Sequence, residues 1–269
     1  MKNNRTMTVP KKMKNQRAER FDAIGRLFRY PGDDYDDDVR ALLCRLEEED
    51  SRVAANIRVF AEYTNAATLH ELEETYTRTF DLNPSCSPEI GWHLFGEEYI
   101  RGLFMVHMRN EMRERGLEET GELPDHLVHV LAVLADMDEE PAREMARACV
   151  CPAIGKMLTS IDKEQANAKA SAAKDQAEGR QSTPVASQPF RPLVEGLSEL
   201  MLEEFDFPSS ALEGREEEQN PFPAGVDPLH SMPGGLCGGC GGSELVSLDA
   251  AEVTSSTASE GHRTKERRP

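Results

Sequence analysis

The sequence predicts an all-α protein, a single-domain bundle of six to eight helices followed by a long, mostly disordered tail. Apolar residues between positions 21 and 161 recur with the 3.6-residue period of an α-helix, and no window shows the alternation of a half-buried strand. Leu, Ile, Val and Phe supply 35 of the 141 residues in this stretch but only 18 of the 108 residues that follow. A segment so poor in large apolar side chains cannot bury enough surface to offset the entropy lost on folding.

The predicted helices follow one another with short connections. The first apolar stripe begins at Phe21 and ends before Pro31 and Gly32, two residues that terminate helices. Pro152 falls inside the last stripe, so we expect a kink or a break in that helix. The stripes cover residues 21–28, 39–46, 53–61, 69–80, 100–112, 127–134 and 145–161.

Composition divides the chain into three parts. We predict a disordered basic arm at residues 1–18, a helical domain at residues 19–162 and a mostly disordered acidic tail at residues 163–269. One segment of the tail has helical apolar spacing and is predicted to form a helix at 191–207. Two interpretations of this helix stay open at this point: it packs back on the bundle, or it is a short motif that a partner binds.

Charge limits the classes of partner. The chain has 31 basic and 49 acidic residues, which gives a net charge of −18. Binding to nucleic acid requires clustered Lys and Arg, so the acidic bundle argues against it and favours a basic partner. The sequence has no run of 18 apolar residues and no apolar signal segment near its start, so we expect a cytoplasmic protein without stable membrane insertion.

We predict no catalytic residues and no metal site. The sequence lacks a glycine-rich phosphate loop, a nucleophile elbow and a zinc-protease helix motif. The pairs Cys149/Cys151 and Cys237/Cys240 offer four thiolates, the number that a structural Zn²⁺ site needs. However, 85 residues separate the two pairs, and Cys149 lies on an apolar stripe, where a buried free cysteine is common. A metal-binding or metal-transfer protein remains an alternative, as does a non-catalytic helical scaffold.

Two segments concentrate aromatic and polar side chains in loops and at helix ends. Their candidate binding residues are Tyr76, Phe80, Trp92 and Phe95 in the first segment, and Pro124, Asp125 and His126 in the second. Asp125 or His126 is suited to capping the helix that follows. His126 is either a group that changes its charge between pH 5 and 8 or a buried neutral histidine without such a role, and both interpretations stay open at this point. Trp92 fits either the core or the lining of a peptide groove.

These segments resemble the NarJ branch of the TorD/DmsD family of redox-enzyme maturation proteins. The resemblance covers about residues 19–161 and leaves out the tail with Cys237 and Cys240. It rests on several spaced motifs: Tyr76–Phe80 with Asp81, Pro84-Ser-Cys86-Ser, His93-Leu-Phe-Gly96, Arg101-Gly102 and Gly121-Glu-Leu-Pro-Asp-His-Leu127.

The resemblance implies a TorD-like helical chaperone without enzymatic activity that serves a respiratory nitrate reductase. Such a protein binds the N-terminal segment of the molybdenum-containing catalytic (alpha) subunit. It holds this subunit competent for insertion of the molybdenum cofactor and Fe–S clusters before membrane docking, and itself binds no cofactor stably. The resemblance also implies that Pro124, Asp125 and His126 contact the peptide, while the aromatic candidates Tyr76, Phe80, Trp92 and Phe95 line the groove.

Overall fold

The structure, a computed structural model, describes residues 11–177 and 188–213. These ranges consist of helices and their connections, with one isolated β-bridge and no strand, which confirms the all-α prediction. None of the helices in these ranges is long and apolar enough to cross a lipid bilayer. The α-helices are α1 Lys11–Arg26, α2 Tyr35–Glu48, α3 Ala54–Ala66, α4 Leu69–Tyr76, α5 Ile90–Phe95, α6 Tyr99–Glu114, α7 Leu127–Asp136, α8 Glu139–Met145, α9 Cys151–Ala177 and α10 Arg191–Phe205.

The described residues contain ten α-helices, more than the predicted six to eight. Helix α5 has only six residues, too few to show an apolar stripe in the sequence. Helices α8 and α9 are joined by a π-helical turn at Ala146–Val150 rather than by a loop. This turn lies just before Pro152, which has no N–H and would clash with the carbonyl four residues earlier in a regular helix. The expected kink at Pro152 therefore takes the form of a wider turn.

A single apolar core joins the helices, and helix α10 is part of it. The helix packs on α3 and α9 and buries Phe190 at its N-terminal end. The Phe190 ring centroid lies 5.1 Å from that of Phe80, 5.2 Å from that of Phe60 and 5.8 Å from that of Tyr76. Of the two interpretations of this helix, the structure therefore shows packing on the bundle. The core extends beyond the predicted domain end at residue 162 because α10 supplies aromatic side chains from outside it.

The helical domain also begins earlier than predicted. Helix α1 starts at Lys11, within the stretch 1–18 that was expected to be a disordered arm. Arg17 is buried, forms an ion pair with Glu139 at 2.9 Å and donates to the carbonyl of Met137. No sequence pattern indicates this partner, since Glu139 lies more than a hundred residues away on α8. The predictions for residues 1–10, 178–187 and 214–269 lie outside the described residues.

Replacing Phe190 tests the role of α10. We expect Phe190→Ala to lower the free energy of unfolding by about 3–5 kcal/mol, because it removes a fully buried ring from the centre of an aromatic cluster. Urea denaturation followed by circular dichroism measures this change. Val59→Ala, an exposed site on α3, serves as control and should change stability by less than about 0.5 kcal/mol. A Phe190→Ala effect as small as that of the control would show that α10 contributes little to the core.

Candidate functional site

The two segments singled out in the sequence pair with each other through their backbones. The Ile90 N–H donates to the Asp125 carbonyl and the Leu127 N–H donates to the Pro88 carbonyl, each at 2.9 Å. The pairing forms an antiparallel bridge between Glu89 and His126. It joins the starts of helices α5 and α7, so side chains from both loops share one end of the bundle.

A buried ion pair fixes this junction. Asp125 is fully buried, and its Oδ2 accepts a hydrogen bond from Arg101 Nε on helix α6 at 2.8 Å. The guanidinium of Arg101 also lies over the Trp92 ring, 5.6 Å from its centroid. Gly91 makes room for the carboxylate, since a Cβ on this residue would lie 2.5 Å from Oδ2. Asp125 thus holds α5, α6 and α7 together, and its charge is already paired within the chain.

His126 and His129 are structural side chains in this junction. His126 Nδ1 accepts from the Val128 N–H at 3.1 Å, which caps the start of α7 as the sequence suggested for Asp125 or His126. Burial lowers the pKa of His126 to about 3. Of the two interpretations of His126, the structure therefore favours the buried neutral histidine over a change of charge between pH 5 and 8. His129 accepts from the Thr120 N–H at 3.1 Å and bonds the Leu123 carbonyl at 2.9 Å, so it anchors the preceding loop.

The aromatic candidates lie mostly below the surface. Tyr76 is buried and its hydroxyl donates to the Phe28 carbonyl at 2.7 Å, while Phe80 and Phe95 are also buried. Trp92 is half-buried beneath Arg101. Counting Pro124, six of the seven candidates are buried. The structure brings the candidates to two adjoining loops, but it places them beneath the surface that a peptide would touch.

The side chains above Tyr76 were missed in the sequence. Tyr30 stands edge-on to Tyr76, with ring centroids 5.5 Å apart, and about half of its surface is exposed. Burial, together with the negative charges of Asp81, Glu122 and Glu89, raises the pKa of Tyr76, so these carboxylates act on the same ring. Burial also raises the pKa of Asp81 and of Glu89, which shows that both carboxylates are partly removed from water.

Exposed leucines stand next to two of these carboxylates. Leu82 follows Asp81 and is 74% exposed, and Leu123 follows Glu122 and is 47% exposed. No periodic pattern marks these residues because they lie in loops, although an acidic residue beside a leucine in each of two loops was a usable signal. We call this set the tyrosine–carboxylate surface: Tyr30, Asp81, Leu82, Glu89, Glu122 and Leu123.

Known proteins resemble the part of the chain that builds this junction. Residues 46–173 match the nitrate reductase delta subunit family. Over 127 residues, the chain is 26% identical to the probable nitrate reductase molybdenum cofactor assembly chaperone NarJ of Bacillus subtilis (strain 168), a match that covers 46% of this chain and 69% of that protein. Both matches support identifying the helical domain with the NarJ family. The family resemblance predicted from the spaced motifs is thereby confirmed.

NarJ-family proteins are assembly chaperones, so this chain has a chaperone role and is not an enzyme. The matched range contains both paired loops and helices α3 to α8, but it ends before α10. Helix α10 therefore completes the core of a NarJ-family domain from outside the matched range.

Three of the four cysteines in the described part of the chain are poorly placed for metal binding. Cys86, Cys149 and Cys151 are buried, and burial raises the pKa of each thiol to about 12, whereas a metal ligand has to be a thiolate. Among the described residues, no group of three or more His, Cys, Asp or Glu side chains is placed to hold a metal ion. Cys237 and Cys240 lie outside the described residues, so the absence of a metal site stays a prediction.

Removing Arg101 should be far more damaging than removing an exposed arginine of the same helix. Arg101→Ala leaves the fully buried Asp125 carboxylate without its cation, and we expect a loss of about 3–5 kcal/mol in the free energy of unfolding. Arg109→Ala breaks a pair with Glu119 in which both side chains are about 40% exposed, and should cost less than about 1 kcal/mol. Chemical denaturation compares the two; similar small losses would contradict the structural role of the buried pair.

The lowered pKa of His126 predicts an acid-sensitive fold. An unfolded histidine binds a proton near pH 6.5, whereas His126 in the folded domain does so near pH 3, so stability falls as the pH drops through this interval. His126→Asn retains a good helix cap but cannot titrate. Between pH 6.5 and 5, the free energy of unfolding should fall by about 2 kcal/mol more in the wild type than in the variant. Urea unfolding at each pH measures both changes. Parallel pH curves for both proteins would contradict this, because they would show that His126 binds its proton at the same pH in the folded and unfolded states.

Proposed function

We propose that this NarJ-family chaperone binds the N-terminal segment of the molybdenum-containing catalytic (alpha) subunit of a respiratory nitrate reductase. It holds that subunit competent while the molybdenum cofactor and Fe–S clusters are inserted, and it acts in the cytoplasm before the enzyme docks to its membrane partner. The chaperone itself binds no cofactor stably. The observation that carries this proposal is the tyrosine–carboxylate surface.

This surface combines the two contributions that a basic amphipathic peptide requires. Asp81, Glu89 and Glu122 supply negative charge, and their neighbours Leu82 and Leu123 supply exposed apolar area. Because Asp81 and Glu89 are partly removed from water, a cationic group of the peptide would interact with them more strongly than with fully hydrated carboxylates. Carboxylates on the surface also speed the encounter with a basic segment.

The buried candidates support the surface from below. Tyr76 packs against Tyr30, and its hydroxyl bond to the Phe28 carbonyl fixes the ring on which the exposed Tyr30 rests. Asp125 and His126 hold the paired loops that carry Glu89 and Glu122. In this proposal they position the binding surface rather than touch the peptide, which keeps the surface in shape before the partner arrives and lowers the entropy cost of binding.

Neutralising the three carboxylates tests the proposal. We expect the triple variant Asp81→Asn/Glu89→Gln/Glu122→Gln to bind a synthetic N-terminal peptide of the catalytic subunit about tenfold or more weakly, with a smaller dependence on salt. Isothermal titration calorimetry measures both effects. The variant should stay folded, because the raised pKa of Asp81 and of Glu89 shows that their negative charges do not stabilise the folded state.

A second triple variant controls for net charge. Glu62→Gln/Glu140→Gln/Glu144→Gln changes the charge by the same amount at sites on α3 and α8. Its affinity for the peptide should stay within about twofold of the wild type, since its carboxylates lie away from the paired loops. Equal losses in both triple variants would show a general electrostatic attraction, and no loss in either would refute binding at this surface.

A further inference from the structure

Phe190 lies beneath the tyrosine–carboxylate surface, at the point where helix α10 begins. The side chain is fully buried. Its ring meets the rings of Tyr76 and Phe80 edge-on, with interplanar angles of 82° and 69°. Edge-to-face contacts between aromatic rings are directional, so they fix the orientation of a ring as well as its distance. Phe190 therefore orients two side chains that come from a distant part of the chain.

The Tyr76 ring connects Phe190 to the exposed Tyr30. Its centroid lies 5.8 Å from that of Phe190 and 5.5 Å from that of Tyr30. Tyr30 again makes an edge contact, at an interplanar angle of 75°, and about half of its surface is exposed. Because packed side chains leave few gaps, a change in the lowest of the three rings is felt by the ring above it. The position of Tyr30 on the surface thus depends on Phe190 below it.

Phe80 connects Phe190 to the turn that presents Asp81 and Leu82. Phe80 belongs to the π-helical turn Thr77–Asp81, in which the Leu82 N–H donates to the Thr77 carbonyl at 2.9 Å. Its ring is buried and its centroid lies 5.1 Å from that of Phe190, whereas Leu82 is exposed two residues later. Single π-helical turns are rare and frequently occur at functional sites. The contact between Phe80 and Phe190 holds this turn from its buried side.

We propose that Phe190 is a positioning residue for one half of the tyrosine–carboxylate surface, the half formed by Tyr30, Asp81 and Leu82. The proposal rests on the peptide binding proposed above and gives helix α10 a part in it. The match to the nitrate reductase delta subunit family ends at residue 173, before this helix begins. The other half of the surface belongs to the paired loops, which the buried ion pair holds. The surface thus has two supports, one charged and one aromatic.

Two variants of the full-length chain separate positioning from general stability. Phe190→Leu and Phe205→Leu each replace a buried ring, one at either end of α10, and leucine keeps enough apolar volume for both variants to stay folded. About 22 Å of helix separates the two positions. Phe205 packs on Phe21 and Phe207 rather than beneath the surface. Both variants should lose stability in urea denaturation, but only Phe190→Leu should disturb the surface.

Amide hydrogen exchange, followed by NMR spectroscopy, tests the positioning without any peptide. The Leu82 amide should exchange about tenfold faster in Phe190→Leu than in Phe205→Leu, because its π-helical turn has lost its support. The Ile90 amide, which donates within the paired loops, should exchange at the same rate in both variants. Equal rates for Leu82 in the two variants would overturn the inference, as would an equal acceleration of Leu82 and Ile90 in Phe190→Leu.

Binding of a synthetic N-terminal peptide of the catalytic subunit tests the consequence for the partner. Under conditions in which circular dichroism shows both variants folded, Phe190→Leu should bind about tenfold more weakly than the wild type and Phe205→Leu within about twofold of it. Isothermal titration calorimetry measures the affinities, and equal affinities of the two variants would overturn the inference. A wild type that does not bind the peptide would refute the proposed function, while the exchange rate of Leu82 would still decide whether Phe190 positions the surface.

Discussion

The buried ion pair between Asp125 and Arg101 is the constraint on which the functional end of the domain depends. A carboxylate with no exposed surface is costly unless a cation neutralises it, so Arg101 has to reach it from helix α6. The same contact explains why a glycine occupies position 91, where a Cβ would meet the Asp125 carboxylate. It also places the guanidinium over the Trp92 ring. Three helices and two loops thus take their relative positions from one charged contact.

This constraint separates the rigid part of the candidate site from the part that meets a partner. The β-bridge between Glu89 and His126 is adjacent in the chain to Asp125, so the backbone that carries Glu89 is fixed on one side. The leucines at the tips of the loops remain exposed. A chaperone has to bind a segment and later release it. A fixed backbone beneath exposed side chains suits this task, because preorganisation raises specificity without requiring a large buried interface.

The fold class, most helices and the two loops that form the junction could be predicted from the sequence, because apolar periodicity and proline positions are local properties. The partners of charged residues could not be predicted: the composition places Arg17 in a disordered arm, but in the structure it pairs with Glu139 on α8. Asp125 was expected to meet a peptide for the same reason, since its cation lies on another helix. Tyr30 was overlooked because only the fold brings it to Tyr76.

The position of α10 in the chain has a consequence for synthesis on the ribosome. Phe60, Tyr76 and Phe80 are made early, but Phe190, which packs against all three, emerges more than a hundred residues later. At about 5–20 residues per second, translation from the end of the predicted domain at residue 162 to the end of α10 at residue 205 takes about 2–9 s. During that interval the nascent chain carries an open aromatic cleft, and the order of synthesis makes α10 the last helix to close it.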